Sequence, residues 1–288
     1  MYAVVGATGN TGRAVVKELK ALGEAPLCIV RNAGKAKEVF GADTETAIAE
    51  LDDRDGLQKA LAGVKRVFIV TGHNPSSAEQ QINVIDAARA AGADYVVKVS
   101  GGRVVVGPDV ESLNGRAHYQ IEQHLKASGL QWCVLSPGLF MQNMLGQAAN
   151  IKNEGKIVQP WPKDVPVALI DVRDTAALGA RVLRDPGRHV GKTYWFTGGL
   201  TTYGAFAKVI SEVLGKPIDY QEITLEQAEE GMKKRGMPDW LVAHMIAMAR
   251  AGRNGAFGRE DTQPIRDIVG RAPVDTRRFV EDYRGAFS

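Results

Sequence analysis

Residues 2–13, Y-A-V-V-G-A-T-G-N-T-G-R, decide how the rest of the chain is read. Tyr2, Ala3, Val4 and Val5 form a short apolar run of strand character, and the glycines at 6, 9 and 12 that follow it lead into a helical pattern from Thr11. Glycine at this spacing lets the chain turn out of a strand and brings backbone N–H groups close to a diphosphate. It also lets the next helix settle on the sheet, with its N-terminus adding partial positive charge. Thr8, Asn10 and Thr11 are small polar residues suited to donate to phosphate oxygens or to cap the helix. A plain strand-turn-helix corner would need glycine as well, so context decides. The stretch follows a strand, opens a helix and begins a β-α-β unit within roughly 30 residues, the setting of a dinucleotide turn. Gly6, Thr8, Gly9, Asn10, Thr11 and Gly12 are therefore expected to hold a nucleotide cofactor.

The first half of the chain continues this alternation. Strands are expected at 2–5, 27–30, 46–51, 67–70, 95–99 and 131–135, with helical patterns at 11–21, 56–61, 78–91 and 113–128. The rhythm breaks after Pro137, where W-P-K-D-V-P at 161–166 is a proline-rich connector. A helix capped by Asp171 and a strand at 192–196 then return to the sheet. The fold class expected is α/β, a doubly wound, Rossmann-like parallel sheet with a smaller, mostly helical C-terminal lobe. The sheet domain takes residues 1–136 and 170–199, and the substrate lobe takes 137–169 and 200–288.

The chain has 288 residues, and its 36 Lys and Arg against 33 Asp and Glu leave a net charge of +3, too slight a footprint for nucleic acid. No apolar run reaches the roughly 18 residues of a membrane span, so neither a nucleic-acid nor a membrane partner is expected, and a cytoplasmic location is. Cys28 and Cys133 each sit in an apolar strand-like run and read as inert core thiols rather than a disulfide or metal site. No metal is expected.

The end of the second strand carries Arg31, followed by Lys35 and Lys37. A base there pairs with the additional phosphate of NADP, where an acid would accept from the ribose of NAD, so NADP(H) is expected over NAD(H). Asp52 and Asp53 close the third strand, where they face the adenine edge or cap the next helix. Thr71, Gly72, His73 and Asn74 follow the fourth, at the carboxyl edge where open α/β sheets bind ligands. His73 is placed to meet nicotinamide or substrate.

Together G-A-T-G-N-T-G, I-V-R, L-D-D, H-Y-Q-I-E, A-S-G-L-Q-W-C-V-L-S-P-G-L-F-M-Q-N, I-D-V-R-D-T-A and, near the C-terminus, V-L-G-K-P-I-D-Y, G-M-P-D-W-L and V-G-R-A-P-V-D-T-R-R-F resemble the NmrA-like branch of the atypical short-chain dehydrogenases/reductases. The likeness spans nearly the whole chain. That family includes bacterial NAD(P)H-dependent quinone reductases, triphenylmethane and azo dye reductases, and non-catalytic regulators that sense the NADP state. The resemblance implies cofactor contacts from the glycine turn, Arg31, Asp52, Asp53, the 72–74 loop, His118 and the segment Phe140, Met141, Gln142 and Asn143. In some relatives a lysine occupies the place of His118.

Ordinary short-chain dehydrogenases use Tyr-x-x-x-Lys, in which an ammonium one helical turn away eases proton transfer from the phenol. Here Tyr119 has Gln123 at that place, so the motif is incomplete. His118 and Glu122 are the stronger pair, with the carboxylate expected to hold the imidazole and raise its pKa. Acceptors that take hydride at an electron-poor centre suit a site with no clear acid. His73, Phe140, Met141, Met144 and Trp161 are the candidate lining for such flat molecules. The leading expectation is an NADPH-dependent oxidoreductase that passes hydride to a quinone or similar conjugated electrophile. A non-catalytic NADP sensor and a pathway-specific C=C or C=O reductase stay open, as does a homodimer.

Overall fold

The computed structural model describes residues 1–41 and 44–288. Its first half runs β1 (Tyr2–Val5), α1 (Asn10–Ala21), β2 (Leu27–Val30), α2 (Ala33–Phe40), β3 (Thr46–Ile48), α3 (Arg54–Ala60), β4 (Arg66–Ile69), α4 (Ser77–Ala90), β5 (Tyr95–Val99), α5 (Leu113–Ala127) and β6 (Gln131–Pro137). The second half adds β7 (Leu139–Phe140), α6 (Ala148–Glu154), β8 (Lys156–Gln159), β9 (Val167–Ile170), α7 (Val172–Arg184), β10 (Lys192–Phe196) and β11 (Leu200–Thr201). It ends with α8 (Tyr203–Leu214), β12 (Asp219–Glu222), α9 (Leu225–Lys234), α10 (Asp239–Arg253), α11 (Thr276–Asp282) and α12 (Arg284–Phe287).

Seven strands form one parallel sheet in the order β10-β6-β5-β4-β1-β2-β3. The chain winds outward in both directions from β1, so the crevice at the carboxyl end of β1 and β4 is the switch point where such sheets bind ligands. Both faces of this sheet are covered, which is why its inner strands are nearly all apolar. Side chains alternate between two clusters. Val4, Phe68, Val97 and Cys133 pack with Val15, Val16 and Leu19 of α1 and Leu178 and Val182 of α7 on one face. Ala3, Val5, Val67, Ile69, Val96 and Val134 pack with Leu57, Val84, Ile85, Ile121 and Leu125 of α3, α4 and α5 on the other.

The doubly wound sheet expected from the alternation is present, with differences at its edges. The strand expected at 46–51 ends at Ile48, and α3 begins at Arg54, before the expected Gly56. The helix α2 carries no expectation from the sequence because only Ala36 on it is buried, leaving no apolar stripe. Its start is fixed by Asn32, whose side chain accepts from Lys35 N. Burial pushes the Cys28 and Cys133 thiols up, to about 11 and about 12, as apolar surroundings do to a group that ionises to an anion. Among the described residues, no helix is long and apolar enough to cross a membrane.

A third apolar cluster draws on Met141, Met144, Ile151, Val167, Leu169, Tyr203, Phe206, Ile210, Phe279 and Phe287. Two small sheets brace it, β11-β9-β7 and the parallel pair β12-β8. The stretch 265–269, by contrast, returns to the main sheet, with Ile265 in the α1–α7 cluster. Its anchor is Asp174 of α7, fully buried, which accepts from Arg271 Nη1 at 2.5 Å and from Val274 N at 2.9 Å. Asp174→Ala removes the acceptor for both donors. It is expected to cost about 1–3 kcal/mol, read as a lower Tm and as faster proteolysis of the 254–275 stretch.

Candidate active site

The glycine turn resolves into residues with different duties. Gly6 adopts φ 79°, and a Cβ there would stand 1.7 Å from the Val70 carbonyl oxygen. At Gly12 a Cβ would stand 2.2 Å from the Gly6 oxygen. Both are glycine because the turn is pressed against the chain leaving β4 on one side and against the start of α1 on the other, a requirement of the turn itself. Gly9 is different. Its φ of −76° suits any residue, and an added Cβ would meet only the Gly6 oxygen, at an ordinary 3.4 Å. The protein has no internal need for glycine at this exposed position, which fits a ligand lying against its backbone.

The first turn of α1 has no side-chain cap and no acidic residue, so its N–H groups face outward with the positive end of the helix dipole. Arg13 Nε donates to Thr8 O at 2.9 Å, folding a guanidinium over the turn. Arg13 carries no signal in the sequence, since an arginine early in a helix looks like ordinary surface. Register brings in the remaining candidates: Val5 pairs with Ile29 and Ile69, and Val30 with Ile48. Arg31 and Thr71 thus leave the sheet beside the turn, with Arg31 and Lys35 exposed. An anionic dinucleotide with an additional phosphate fits these residues.

Several candidates are bound to the scaffold. Asp53 caps α3 by accepting from Gly56 N, and Asp52 accepts from Gln80 Nε2 at 3.1 Å. Thr71 Oγ1 accepts from Gln81 Nε2 at 2.8 Å. Asn74 Oδ1 accepts from Ser76 N, Asn74 Nδ2 donates to Gln80, and Asn74 N donates to Ser77 Oγ, so this side chain shapes the entry to α4. Gln142 is buried, and its Oε1 accepts from Val172 N while its Nε2 has no partner. Asn143 beside it is exposed.

His118 of α5 does not pair with Glu122. The expected i,i+4 partnership is displaced by β5 and its exit: Glu122 Oε1 accepts from Ser100 Oγ at 2.6 Å, and Oε2 accepts from Lys126 Nζ at 3.2 Å. The His118 Nδ1 lies instead 3.0 Å from Lys98 Nζ. Burial and the Lys98 cation hold this imidazole well below its usual pKa, the reverse of the expected rise. Its ring meets His73 edge-on, with centroids 5.5 Å apart, and His73 meets His244 of α10 edge-on at 5.7 Å. Ser112 Oγ both caps α5 and lies 2.9 Å from His244 Nδ1. Tyr119 is partly buried, one residue along the helix and about 100° around it from His118.

Lys98 and His244 join this cluster only through the fold. A lysine inside V-V-K-V is a signal in retrospect, a charge in a strand whose neighbours are all buried. His244 lies more than a hundred residues from its partners, and nothing local announces it. Among the described residues, no trio of His, Cys, Asp or Glu is arranged to hold a metal ion. Of the pocket candidates, Phe140 is partly buried and His73 exposed, while Met141 and Met144 lie in the third cluster. Trp161 stacks edge-on with Tyr203 at 5.5 Å and lies against Gly252 of α10, where a Cβ would stand 1.8 Å from the ring.

Burial lowers the pKa of His118 and His244, to about 4 for His244. The unfolded chain takes up protons near 6.5 while the folded state resists, so stability is lost as pH falls from 6.5 towards 4. For the partly buried His244 this amounts to roughly 3 kcal/mol across that window. In thermal melts, His244→Gln is expected to flatten the fall in Tm between pH 6.5 and 4 relative to the parent protein.

Residues 2–282 match the NmrA-like family. The chain is 35% identical over 292 residues to an NAD(P)H azoreductase of Xenophilus azovorans, covering all of this chain and 99% of the relative. It is 32% identical to a (4-alkanoyl-5-oxo-2,5-dihydrofuran-3-yl)methyl phosphate reductase of Streptomyces griseus subsp. griseus, with the same coverage. Among solved structures it is similar to the NADPH-dependent quinone oxidoreductase QOR2 of Escherichia coli complexed with NADPH. There the TM-score is 0.87 at 26% identity, covering 99% of this chain and 100% of that one. By the span of the match and by these identities, the chain belongs to the NmrA-like family.

Proposed function

We propose that the protein is an NADPH-dependent oxidoreductase that passes hydride to a quinone or a comparable conjugated, electron-poor small molecule. The observation that carries this is the open face of Gly9 over an uncapped helix N-terminus, at the switch point of the sheet and beside Arg31. The similar relatives bear names that describe reduction of azo compounds, of a dihydrofuranone carrying an alkanoyl group, and of quinones. These share an acceptor atom made electron-poor by conjugation.

Bound NADPH supplies the hydride. The backbone N–H groups of residues 10–12 bind the diphosphate, the Gly9 N–H being spent on Gly6 O, and Arg31 with Lys35 takes the additional phosphate, a charge-assisted contact that distinguishes NADPH from NADH. Gln142 presents its unpartnered amide N–H to the nicotinamide end, alongside Phe140, Met141 and Asn143. Asp52 and Asp53 shape the adenine edge, and Thr71, Gly72, His73 and Asn74 form the wall between cofactor and acceptor. His118, neutral in its buried setting, donates a hydrogen bond to the acceptor as charge develops on it. Tyr119 has no cation to help it ionise and is not part of this step. Met144 and Trp161 support the pocket wall from behind. The acceptor is a small molecule, and a cytoplasmic setting suits a chain with two buried thiols. Light scattering of the purified protein checks the homodimer.

The test is NADPH oxidation against a panel of quinones, azo dyes and alkenyl ketones. Steady turnover supports the proposal. Tight NADP(H) binding with no turnover on any acceptor would overturn it in favour of a sensor. Two variants report on the cofactor site by calorimetry. Arg31→Ala is expected to weaken NADPH binding about 10- to 100-fold while leaving NADH nearly unchanged. Gly9→Ala is expected to keep the parent Tm yet weaken both cofactors, because the added methyl occupies the ligand's side of the turn.

A further inference from the structure

Lys98 is fully buried at the heart of β5, and among the described residues no other lysine or arginine is buried. An ammonium there is expensive to desolvate and calls for a reason. Its Nζ donates to Val99 O at 3.2 Å and lies 3.0 Å from His118 Nδ1. Glu122, facing it from α5, is the nearby opposite charge, but its oxygens are engaged by Ser100 and Lys126. The other edge of the His118 ring turns away from the lysine. Cδ2 and Nε2 lie 3.2 and 3.9 Å from where a Gly101 Cβ would stand, at the carboxyl end of the sheet, with His73 and His244 beyond.

We propose that Lys98 and His118 form a two-member proton relay, Lys98 storing the proton and His118 carrying it to the reduced acceptor. This rests on the reductase reading above. When the acceptor has gained hydride and its oxygen bears a negative charge, that oxygen takes the proton on His118 Nε2, and His118 Nδ1 takes one from Lys98 Nζ. One N–H bond breaks at Nε2 as an O–H bond forms, and one breaks at Nζ as another forms at Nδ1. The lysine goes from cationic to neutral, the oxygen from anionic to neutral, and the imidazole stays neutral while changing tautomer. The only oxidation is that of the cofactor which supplied the hydride. After product leaves, a solvent proton enters at Nε2 and the Nδ1 proton returns to Lys98.

The energetics run in this direction. Burial pulls the Lys98 ammonium down to about 7, with Glu122 opposing the shift and Lys126 adding to it. His118, pressed by Lys98, His73 and His244 as well as by burial, resists becoming an imidazolium. A phenolic oxygen, with an ordinary pKa near 10, then takes the proton downhill. Lys98 acts through His118 and is a positioning residue; a plain surface lysine at 10.4 or so would release its proton far less readily.

The first test needs neither cofactor nor turnover. Histidine-selective 15N NMR of the apoprotein should show His118 as the neutral Nε2–H tautomer at pH 6, with ring-nitrogen shifts that move as Lys98 titrates near 7. In Lys98→Met, close in shape and apolar, that transition should vanish while NADPH affinity and Tm are kept. Identical His118 shifts in the two proteins across pH would overturn the relay. The second test is kinetic, with a quinone acceptor. The parent kcat should fall as pH rises through about 7, because the store empties. Lys98→Met should lower kcat by roughly 100-fold or more and lose that limb, and His118→Gln should lose it too. Lys98→Arg, which holds its proton, should preserve the Nε2–H tautomer without restoring kcat; full rescue by arginine would reject the proton-store role. Should the parent turn over no acceptor, the reductase reading fails while the NMR outcome still decides the Lys98–His118 pairing.

Discussion

The carbonyl of Val70 and the α-carbon of Gly6 stand so close that no side chain fits between them, and the site is arranged around that contact. It lets β1 hand over to α1 directly above β4, so that the helix starts at the crevice where the winding direction of the sheet reverses. Gly12 repeats the constraint one turn later against the Gly6 oxygen. With both positions committed to packing, Gly9 is left facing outward with no neighbour to satisfy. Two make the corner, and the third leaves the corner open to a ligand.

Around this crevice polar groups are held at unusual depth. Lys98 lies inside a parallel strand, Glu122 and Ser100 hydrogen-bond beneath the sheet edge, and three of the five histidines gather where β4, α5 and α10 converge. For Lys98, His118 and His244 the largest cause of the lowered pKa is the same, since removing water disfavours a cation whether it belongs to lysine or imidazole. Burial thus disfavours the cationic form of His118 and His244 and of Lys98 beneath them. That charge pattern suits a reaction in which negative charge appears on an acceptor and has to be quenched without admitting bulk water.

The C-terminal third contributes to the site from a distance. The third cluster carries α10, which supplies His244, and Trp161 is pressed against α10 at Gly252. Asp174 of α7 fastens the chain near Val274, so the last segments are tied to the sheet as well as to one another. The third cluster and the sheet are joined by packing and hydrogen bonds rather than by a free linker.

What the sequence determined by itself is the glycine corner and the sheet. Apolar runs such as Tyr2–Val5 and Leu27–Val30 alternate with helical patterns, and spacing along the chain is enough to read them because each element signals locally. The helix α2 escaped because it has one buried residue and no stripe, and the ends of β3 and α3 shifted because caps such as Asp53 set boundaries that periodicity does not. The partner of His118 was a tertiary decision. Helical spacing proposed Glu122, which lies on the same face, but Ser100 at the end of β5 took that carboxylate and Lys98 took the imidazole. His244, Arg13 over the glycine turn and the burial of Met141 and Met144 were likewise fixed only on folding. Side chains from distant segments compete for the same hydrogen-bonding atoms, and that competition is settled by which elements pack together, a fact no local pattern records.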